Sequence, residues 1–419
     1  MSAVNERKVT GTPHRLSLGW EGVGTVVILL LAAVSLRDWV PSSSGTALLL
    51  RLLWILLYVA GFAALTVRFG TTWLAWTIRR QPALCILLMV AFASCLWSLA
   101  PLVSLQKAFS LLGTTMLGVF IGYASPPRRI MRILAGVFAL LIVAGIIAAV
   151  VLPAPPIAAV GWRGVMGHKN TFGAAAALAM IFFLVATLRS IVPRWWGATL
   201  CTLSIAALIQ SRSRTSIAAA AVALALLPYL SIARPAAATS RRLALGLVLC
   251  VSVLPLMIGP LGAALGSDNL VNYRTNVWAG VATIMSERPL TGYGYAVVWG
   301  RADATPLPHI AITAHPSSSS AHNSILDLAS ELGVPAAIVA CFYLLAAIAD
   351  AGRLFERERS AFSAVALLSL VSLIVMGFAE SHLLRIQSMF WILFVALTVA
   401  VKRSLERLDG APASAGTSA

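Results

Sequence analysis

The chain has 419 residues, of which 59% are hydrophobic and only 11% charged, and its mean hydropathy is +0.90. That composition excludes a soluble domain, and the apolar runs reach the roughly 20 residues a helix needs to cross a bilayer. The formal charge of +17 does not point to nucleic acid, because the basic residues fall in twos and threes between apolar runs, as topology determinants and lipid-headgroup contacts do.

Backbone polar groups must be satisfied internally in lipid, and the runs are too long and too unalternating for barrel strands, so the sequence predicts an all-α polytopic membrane protein. Twelve spans are predicted, at about 20–39, 46–67, 82–100, 104–123, 130–152, 171–188, 195–210, 215–232, 241–260, 333–349, 361–378 and 387–401. The first follows Arg7, Lys8 and Arg15 but lacks a convincing cleavage site, and reads as an uncleaved helix. Arg68–Arg80, with Trp73 and Trp76, suits a short helix lying at the interface. Cys85, Cys95, Cys201, Cys250 and Cys341 sit within apolar runs without metal-like spacing and read as small core residues. The tail from Gly410 is small and polar, as in disordered segments.

Basic residues set the orientation. With a cytoplasmic N-terminus, the inner side receives Arg7, Lys8 and Arg15, then Arg68, Arg79 and Arg80, then Arg128, Arg129 and Arg132. It continues with Arg189 and Arg194, then Arg234, Arg241 and Arg242, then Arg353, Arg357 and Arg359, and finally Lys402, Arg403 and Arg407. That is twenty of the thirty-one cations, and it predicts that both termini are cytoplasmic. The resulting organisation is a cytoplasmic segment 1–19, helices one to nine over 20–260, a periplasmic catalytic loop 261–332, helices ten to twelve over 333–401, and a cytoplasmic tail 402–419.

The remaining cations gather in a few outer connections, against the usual bias, and a phosphate-bearing ligand is the simplest reason. Arg37, Arg51 and Lys107 read as residues near the outer ends of spans whose stems can snorkel. Gly161-Trp-Arg163-Gly-Val-Met-Gly-His168-Lys169-Asn170 combines glycines, cations and a helix start, a plausible oxyanion cradle. Ser211-Arg212-Ser213-Arg214-Thr215 places two guanidiniums at the mouth of two spans, where charge is costly and function is the default reading. Arg385 precedes the last span.

In the long loop, apolar residues after Asn272 predict an amphipathic helix with Arg274 in its first turn, where backbone N–H groups favour an anion and a guanidinium can grip phosphate with its fork. Arg288 and Arg301 lie further along. Ser324 and Asp327 form a capping-box signature, so a helix should begin at Ser324 with His322 and Asn323 just outside its N-terminus; there the helix dipole favours neutral imidazole, a candidate general base. His309 and His315 have no flanking element, and the Pro316–Ser320 run between His315 and His322 is a candidate gate. Asp268, Glu287, Asp303, Asp327, Glu331 and Glu380 are scattered, without metal-ligand spacing, and a site that uses no metal is expected. Glu380 is retained as a candidate substrate-binding residue, with Arg163, His168, Lys169, Asn170, Arg212, Arg288 and Asn323.

Taken together, Trp97-Ser98 with Pro101, Gly161–Asn170, Ser211–Thr215, Arg274 and Trp278, Pro289-Leu-Thr-Gly292-Tyr-Gly294, and His322-Asn323 followed by Gly333 resemble the O-antigen ligase and Wzy-type polymerase superfamily. The closest likeness is to its ExoQ-like exopolysaccharide polymerase branch. The resemblance implies an inner-membrane protein of glycosyltransferase C-like architecture that needs no cofactor. It would take a glycan from an undecaprenyl-pyrophosphate carrier at the periplasmic face and transfer it to a glycan acceptor or, as a ligase, to lipid A-core or a protein; with one candidate base and no evident carboxylate nucleophile, direct attack and inversion are expected. His322 matches the family's loop histidine, and Arg214 and Arg274 match the arginines assigned to the carrier pyrophosphate. Membrane lipids, a chain-length regulator and a flippase are the implied partners. Where ligases tend to carry G-x-x-G and threonines, this chain has Gly333-Val-Pro335-Ala336, which favours a polymerase over a ligase. A transporter or flippase is the third reading. It is disfavoured because the spans are nearly free of charge and show no visible repeat.

Overall fold

The computed structural model describes residues 20–34, 44–151, 161–231, 246, 268–299 and 320–410. The expected ninth span apart from residue 246, the cations Arg7, Lys8, Arg15, Arg37, Arg234, Arg241, Arg242 and Arg301, Cys250, His309, His315, Asp303 and the end of the tail lie outside the described residues.

The protein is all-α. In chain order the helices are α1 (Trp20–Ala33), α2 (Ser44–Phe69), α3 (Thr72–Arg80), α4 (Pro82–Ala93), α5 (Pro101–Ala124), α6 (Pro127–Val151), α7 (Lys169–Leu188) and α8 (Arg194–Gln210). They continue with α9 (Arg214–Leu224), α10 (Leu227–Ser231), α11 (Asp268–Glu287), α12 (Ser324–Leu332), α13 (Val334–Glu358), α14 (Ala361–Ala379) and α15 (Met389–Asp409). Proline at the first turn opens α4, α5 and α13, where its missing N–H has no helical partner to lose.

Among the described residues, α2, α5, α6, α7, α13 and α14 are long and apolar enough to cross a membrane alone. The expected third span is shorter, its helical stretch running from Pro82 to Leu96, and α3 meets it at a 97° bend. The short helix expected near Arg68–Arg80 is α3. It turns Trp73 inward, and Trp76 Nε1 donates to Glu406 Oε2 at 2.6 Å. The expected eighth span is broken into α9 and α10, and α13 and α15 run well past the apolar stretches that predicted them, to Glu358 and Asp409.

Helix α14 is the axis of the bundle: 89% of its apolar window is buried, against 17% for α2. Around α14 pack α7, α9 and α13, and α15 packs against α5. Gly118 and Gly122 allow that last approach, since a Cβ at either would stand 2.8 Å from the Ile392 carbonyl oxygen or 2.4 Å from that of Ala396. Small residues four apart are how membrane helices come this close.

The two ends of the bundle carry different groups of polar contacts. At one end, Arg80 pairs with Glu406 at 2.5 Å, Lys402 with Asp350 at 3.5 Å, and Arg403 donates to the Tyr123 carbonyl at 2.8 Å, all from segments expected on one side. At the other end lie the first turns of α5, α7, α9 and α15, the α14–α15 turn and α12, which hold the candidate residues.

Candidate functional site

Two sequence motifs that are far apart in the chain dock to form the cationic wall. Trp162 N donates to the Gln210 carbonyl at 2.9 Å, and a Cβ at Gly161 would stand 2.3 Å from the Ser211 carbonyl oxygen. Gly161 and Gly167 adopt positive φ, 104° and 73°, and so fold the 161–168 segment over the 211–213 turn. His168 caps α7, its Nδ1 accepting from Asn170 N at 3.3 Å, and Ser213 caps α9 by accepting from Ser216 N. Lys169 and Arg214 thus become the first residues of two helices with their positive N-termini side by side. The charges that act on Lys169 are those of Arg214, Glu380, Arg163 and Arg212.

The centre of the site is Glu380, in the turn between α14 and α15. Its Oε1 accepts from Asn170 Nδ2 at 2.6 Å and from Arg274 Nη2 at 2.7 Å, and its Oε2 lies 2.9 Å from His322 Nδ1. The side chain of Glu380 is 7% exposed, those of Arg274 and His322 18% and 22%. Burial alone would push the carboxyl up, but the hydrogen bond from His322 and the charge of Arg274 outweigh it and hold the group below its ordinary value. Glu380 is therefore an ionised, acceptor-only carboxylate, so His322 Nδ1 must carry the proton it shares, and Nε2 becomes the basic nitrogen.

Neighbouring contacts fix the imidazole from the backbone side. His322 has φ +50°, a region an L-residue adopts only when its surroundings impose it. Just before it, Ala321 N donates to Asp327 Oδ1 at 2.7 Å, and the Ala321 carbonyl accepts from Trp278 Nε1 at 2.9 Å. Just after it, the Asn323 side chain caps α12 through the amides of Ile325 and Leu326. Ser324 Oγ donates to the Glu380 carbonyl at 3.0 Å and accepts from the amides of His382 and Leu383, so α12 and the 380–383 turn form one unit.

Several expectations need correcting. Glu380 is not one of a scattered set; it holds the candidate base. The cap of α12 is Asn323 rather than Ser324, and Asp327 reaches back to Ala321. Helix α11 starts at Asp268, so Arg274 lies in its second turn, away from unbonded helix amides, and acts only through its guanidinium. Arg288 is engaged elsewhere: its guanidinium lies 4.9 Å over the Tyr293 ring, whose hydroxyl donates to Glu287. His168 and Asn170 serve first as helix cap and Glu380 anchor. Burial keeps His168 below its ordinary value, aided by His322, Arg163 and Lys169 and opposed by Glu380.

The sequence reading missed His382. Its ring packs 4.6 Å from that of Phe390, and its Nε2 is buried without a hydrogen-bond partner among the described residues. Burial pushes it down to about 4, so it is a neutral imidazole. Its signal was position: an acid and a histidine, Glu380-Ser-His382, in the short connection between two apolar spans. A cavity of about 1270 Å³ opens beside this group, lined by His322, Glu380, His168, His382 and Arg385 at its polar end. Among the described residues, no group of three or more His, Cys, Asp or Glu is arranged to hold a metal ion.

These features define a polytopic all-α membrane protein with an anchored imidazole and a cluster of guanidiniums at one end of its bundle. Residues 199–341, from within α8 into α13, match the family model described as O-Antigen ligase. That similarity supports a membrane glycosyltransferase of the ligase or polymerase type. No curated protein matches the chain.

Proposed function

We propose that the protein polymerises lipid-linked glycan repeat units at the periplasmic face of the bacterial inner membrane, taking each glycan from an undecaprenyl-pyrophosphate carrier. The observation that carries this reading is the Glu380 carboxylate joining His322, Arg274 and Asn170 beside Arg163, Lys169 and Arg214. It sets one oriented base against a concentration of cations that suits a diphosphate leaving group.

In the proposed step, the acceptor hydroxyl gives its proton to His322 Nε2 as its oxygen bonds to the anomeric carbon. The bond from that carbon to the diphosphate oxygen breaks, and undecaprenyl diphosphate leaves with the electron pair. Arg214 and Arg274, with Arg163, Lys169 and Arg212 behind them, stabilise the charge that develops on it, a contribution that is usually among the largest in catalysis. Direct attack inverts the anomeric centre. With guanidiniums and an ammonium to neutralise the diphosphate, the step needs no divalent cation, and both termini lie in the cytoplasm. The 261–332 segment is the catalytic loop, and its described parts supply Arg274 from α11 and His322 from just before α12.

Purified protein in liposomes, given undecaprenyl-diphosphate-linked repeat units and excess EDTA, should build products of increasing length with the opposite anomeric configuration to the donor. Unchanged donor would refute the reading, and retained configuration would refute the direct attack. The description of the matched family, O-Antigen ligase, favours a second reading: a ligase, for which we take lipid A-core or a protein as the acceptor of the finished glycan. A deletion strain separates the two: loss of chain length marks the polymerase, intact unattached polymer the ligase.

A further inference from the structure

Two carboxyls that the proposed step does not use lie behind its base. Asp327 and Glu331 are one turn apart on α12, which begins two residues after His322; Glu331 is buried and Asp327 partly so. Each meets a backbone amide where the chain is forced into the left-handed region. Asp327 Oδ1 accepts from Ala321 N at 2.7 Å, immediately before His322 with φ +50°. The Glu331 carboxyl has the amide of Ala296, another non-glycine residue of positive φ, 56°. Such backbone persists only where its surroundings over-determine it.

The charges around this pair do not balance if both carboxyls ionise. The groups that face it are Tyr295 from the Pro289–Tyr295 segment, Arg385 from the α14–α15 turn and, for Asp327, His322. Tyr295 carries no charge, since its hydroxyl donates to the Leu384 carbonyl at 2.7 Å and burial pushes it well above its ordinary value. The cation common to both carboxyls is Arg385, itself exposed and bonded through Nη1 to the Ser381 carbonyl at 3.3 Å. One guanidinium offsets one carboxylate, and a second buried charge without a partner is avoided by keeping a proton. Asp327 has the Ala321 amide and the greater access to water, so it takes the charge. Glu331 keeps the proton.

The seat of Glu331 is tight. Tyr293 N and Gly294 N donate to the Ser330 and Glu331 carbonyls at 3.1 and 2.8 Å, and a Cβ at Gly292 would stand 2.5 Å from the Glu331 backbone. A second negative charge here is therefore relieved by moving α12. That helix also anchors the turn carrying Glu380, through Ser324 Oγ, so the base and its carboxylate partner would move together. Arg163, Lys169 and Arg214 stand on other elements and would keep their places.

We propose that Glu331 is a positioning residue that works as a neutral carboxylic acid: while protonated it keeps α12 seated and His322 in place against Glu380, and on losing its proton it releases both and stops transfer. The proposal deepens the glycosyltransferase reading, on which its kinetic test rests. The pH range follows from burial, reinforced by the charge of Asp327, which pushes Glu331 up to about 8. The working form is present below that pH and is lost as pH rises through it.

The test is a pH profile of transfer by the full-length protein in liposomes at saturating donor. Above a midpoint near 8, wild-type kcat should fall by about tenfold per pH unit, as loss of one proton requires, with KM little changed. Glu331→Gln, neutral at every pH and similar in shape, should keep wild-type kcat below that midpoint and lose the fall. Arg385→Gln should move the midpoint upward, because the guanidinium favours the ionised carboxyl; a merely structural role for Glu331 would leave it unmoved. Hydrogen exchange gives a reading without substrate. Compared at equal pH, the amides of 321–332 should exchange faster in wild type than in Glu331→Gln above the midpoint, and alike below it. A wild-type rate that does not fall near pH 8, a fall that persists in Glu331→Gln, or exchange that never differs would overturn the proposal. Should Glu331→Gln fail to fold, the wild-type profile and its displacement in Arg385→Gln decide. A wild type that transfers at no pH refutes the glycosyltransferase reading, and hydrogen exchange then decides alone whether the Glu331 proton holds α12.

Discussion

Replacing Glu380 with glutamine separates the charge of the central carboxylate from its shape. The carboxylate accepts at both oxygens, from Asn170 and Arg274 at one and from His322 at the other. An amide accepts at one position and donates at the other, so at least one of the three donors would face another donor. Losing a hydrogen bond to a charged group costs about 1.5–3 kcal/mol, and stranding a largely buried guanidinium costs about 3–5 kcal/mol. The two figures describe the same lost contact, and with Arg274 18% exposed the smaller applies, about 1.5–3 kcal/mol of stability. The effect on turnover should be larger than on binding. Nδ1 of His322 would lose the acceptor that makes Nε2 basic, and general-base catalysis contributes about 10²–10⁴-fold, so kcat should fall by that order. KM for the lipid-linked donor should move less, because Arg163, Lys169 and Arg214 remain. Single-turnover polymer formation in liposomes, with thermal unfolding measured on the same preparation, reads both effects. Wild-type kcat in a correctly folded Glu380→Gln variant would refute the role of Glu380 as the residue that positions His322. The acid side provides a second check. The carboxyl lies below its ordinary value of 4.5, so its contribution to stability is present above that pH and is lost as pH falls through the lower folded-state value. That loss on acidification should be absent in the glutamine variant.

Three further changes test other parts of the structure. His322→Ala should abolish transfer while leaving membrane insertion intact, and Arg274→Lys should lower kcat/KM by roughly tenfold to a hundredfold, since the lysine keeps the charge but loses the fork; full activity in both variants would remove the site assignment. Gly333→Ala should destabilise by about 3 kcal/mol or more, since Gly333 has φ +87° and a Cβ there would stand 2.2 Å from the Leu290 carbonyl oxygen; an unchanged melting temperature would contradict this. Burial, reinforced by Asp327, pushes Glu331 from its ordinary 4.5 up to about 8, so the folded state holds a proton there that the unfolded state releases. Stability should therefore fall as pH rises from about 5 towards 8, at up to about 1.4 kcal/mol per pH unit, and Glu331→Gln should flatten that slope in a pH series of thermal melts.

What was legible in the sequence was what the bilayer dictates. Pro101–Ala124, Pro127–Val151, Lys169–Leu188 and Ala361–Ala379 lie close to the expected bounds because apolar length and backbone satisfaction leave little choice there. Where helices leave the lipid, hydropathy stops marking them. Helix α13 reaches Glu358 and α15 reaches Asp409 because charged residues pair across their ends, Arg357 with Asp409 and Lys402 with Asp350. The start of α11 was misplaced for a different reason. Ser267-Asp268 is an adequate helix-start signal, but the apolar periodicity that drew attention begins only after Asn272. The Glu380 centre was the least legible, since its three partners lie 58, 106 and 210 residues away in the chain, and no local pattern encodes a convergence of that kind.

The motifs that carried the family likeness divide into chemistry and scaffold, and that division explains why the glycines sit where they do. Tyr293 N and Gly294 N donate to the Ser330 and Glu331 carbonyls, Val334 N donates to the Pro289 carbonyl, and a Cβ at Gly292 would stand 2.5 Å from the Glu331 backbone. Trp97 Nε1 donates to the Thr291 carbonyl at 2.8 Å, Ser104 Oγ to the Tyr295 carbonyl at 3.1 Å, and Tyr295 Oη to the Leu384 carbonyl at 2.7 Å. The Trp97-Ser98 turn, the Pro289–Tyr295 strip and the end of α12 are thus stitched into one pad beneath the 380–385 turn. None of these residues needs to touch a substrate to matter. The pad holds the turn that holds Glu380, and Glu380 holds His322, so a change in the strip should reach the chemistry as a displaced base, lowering kcat before it alters donor binding.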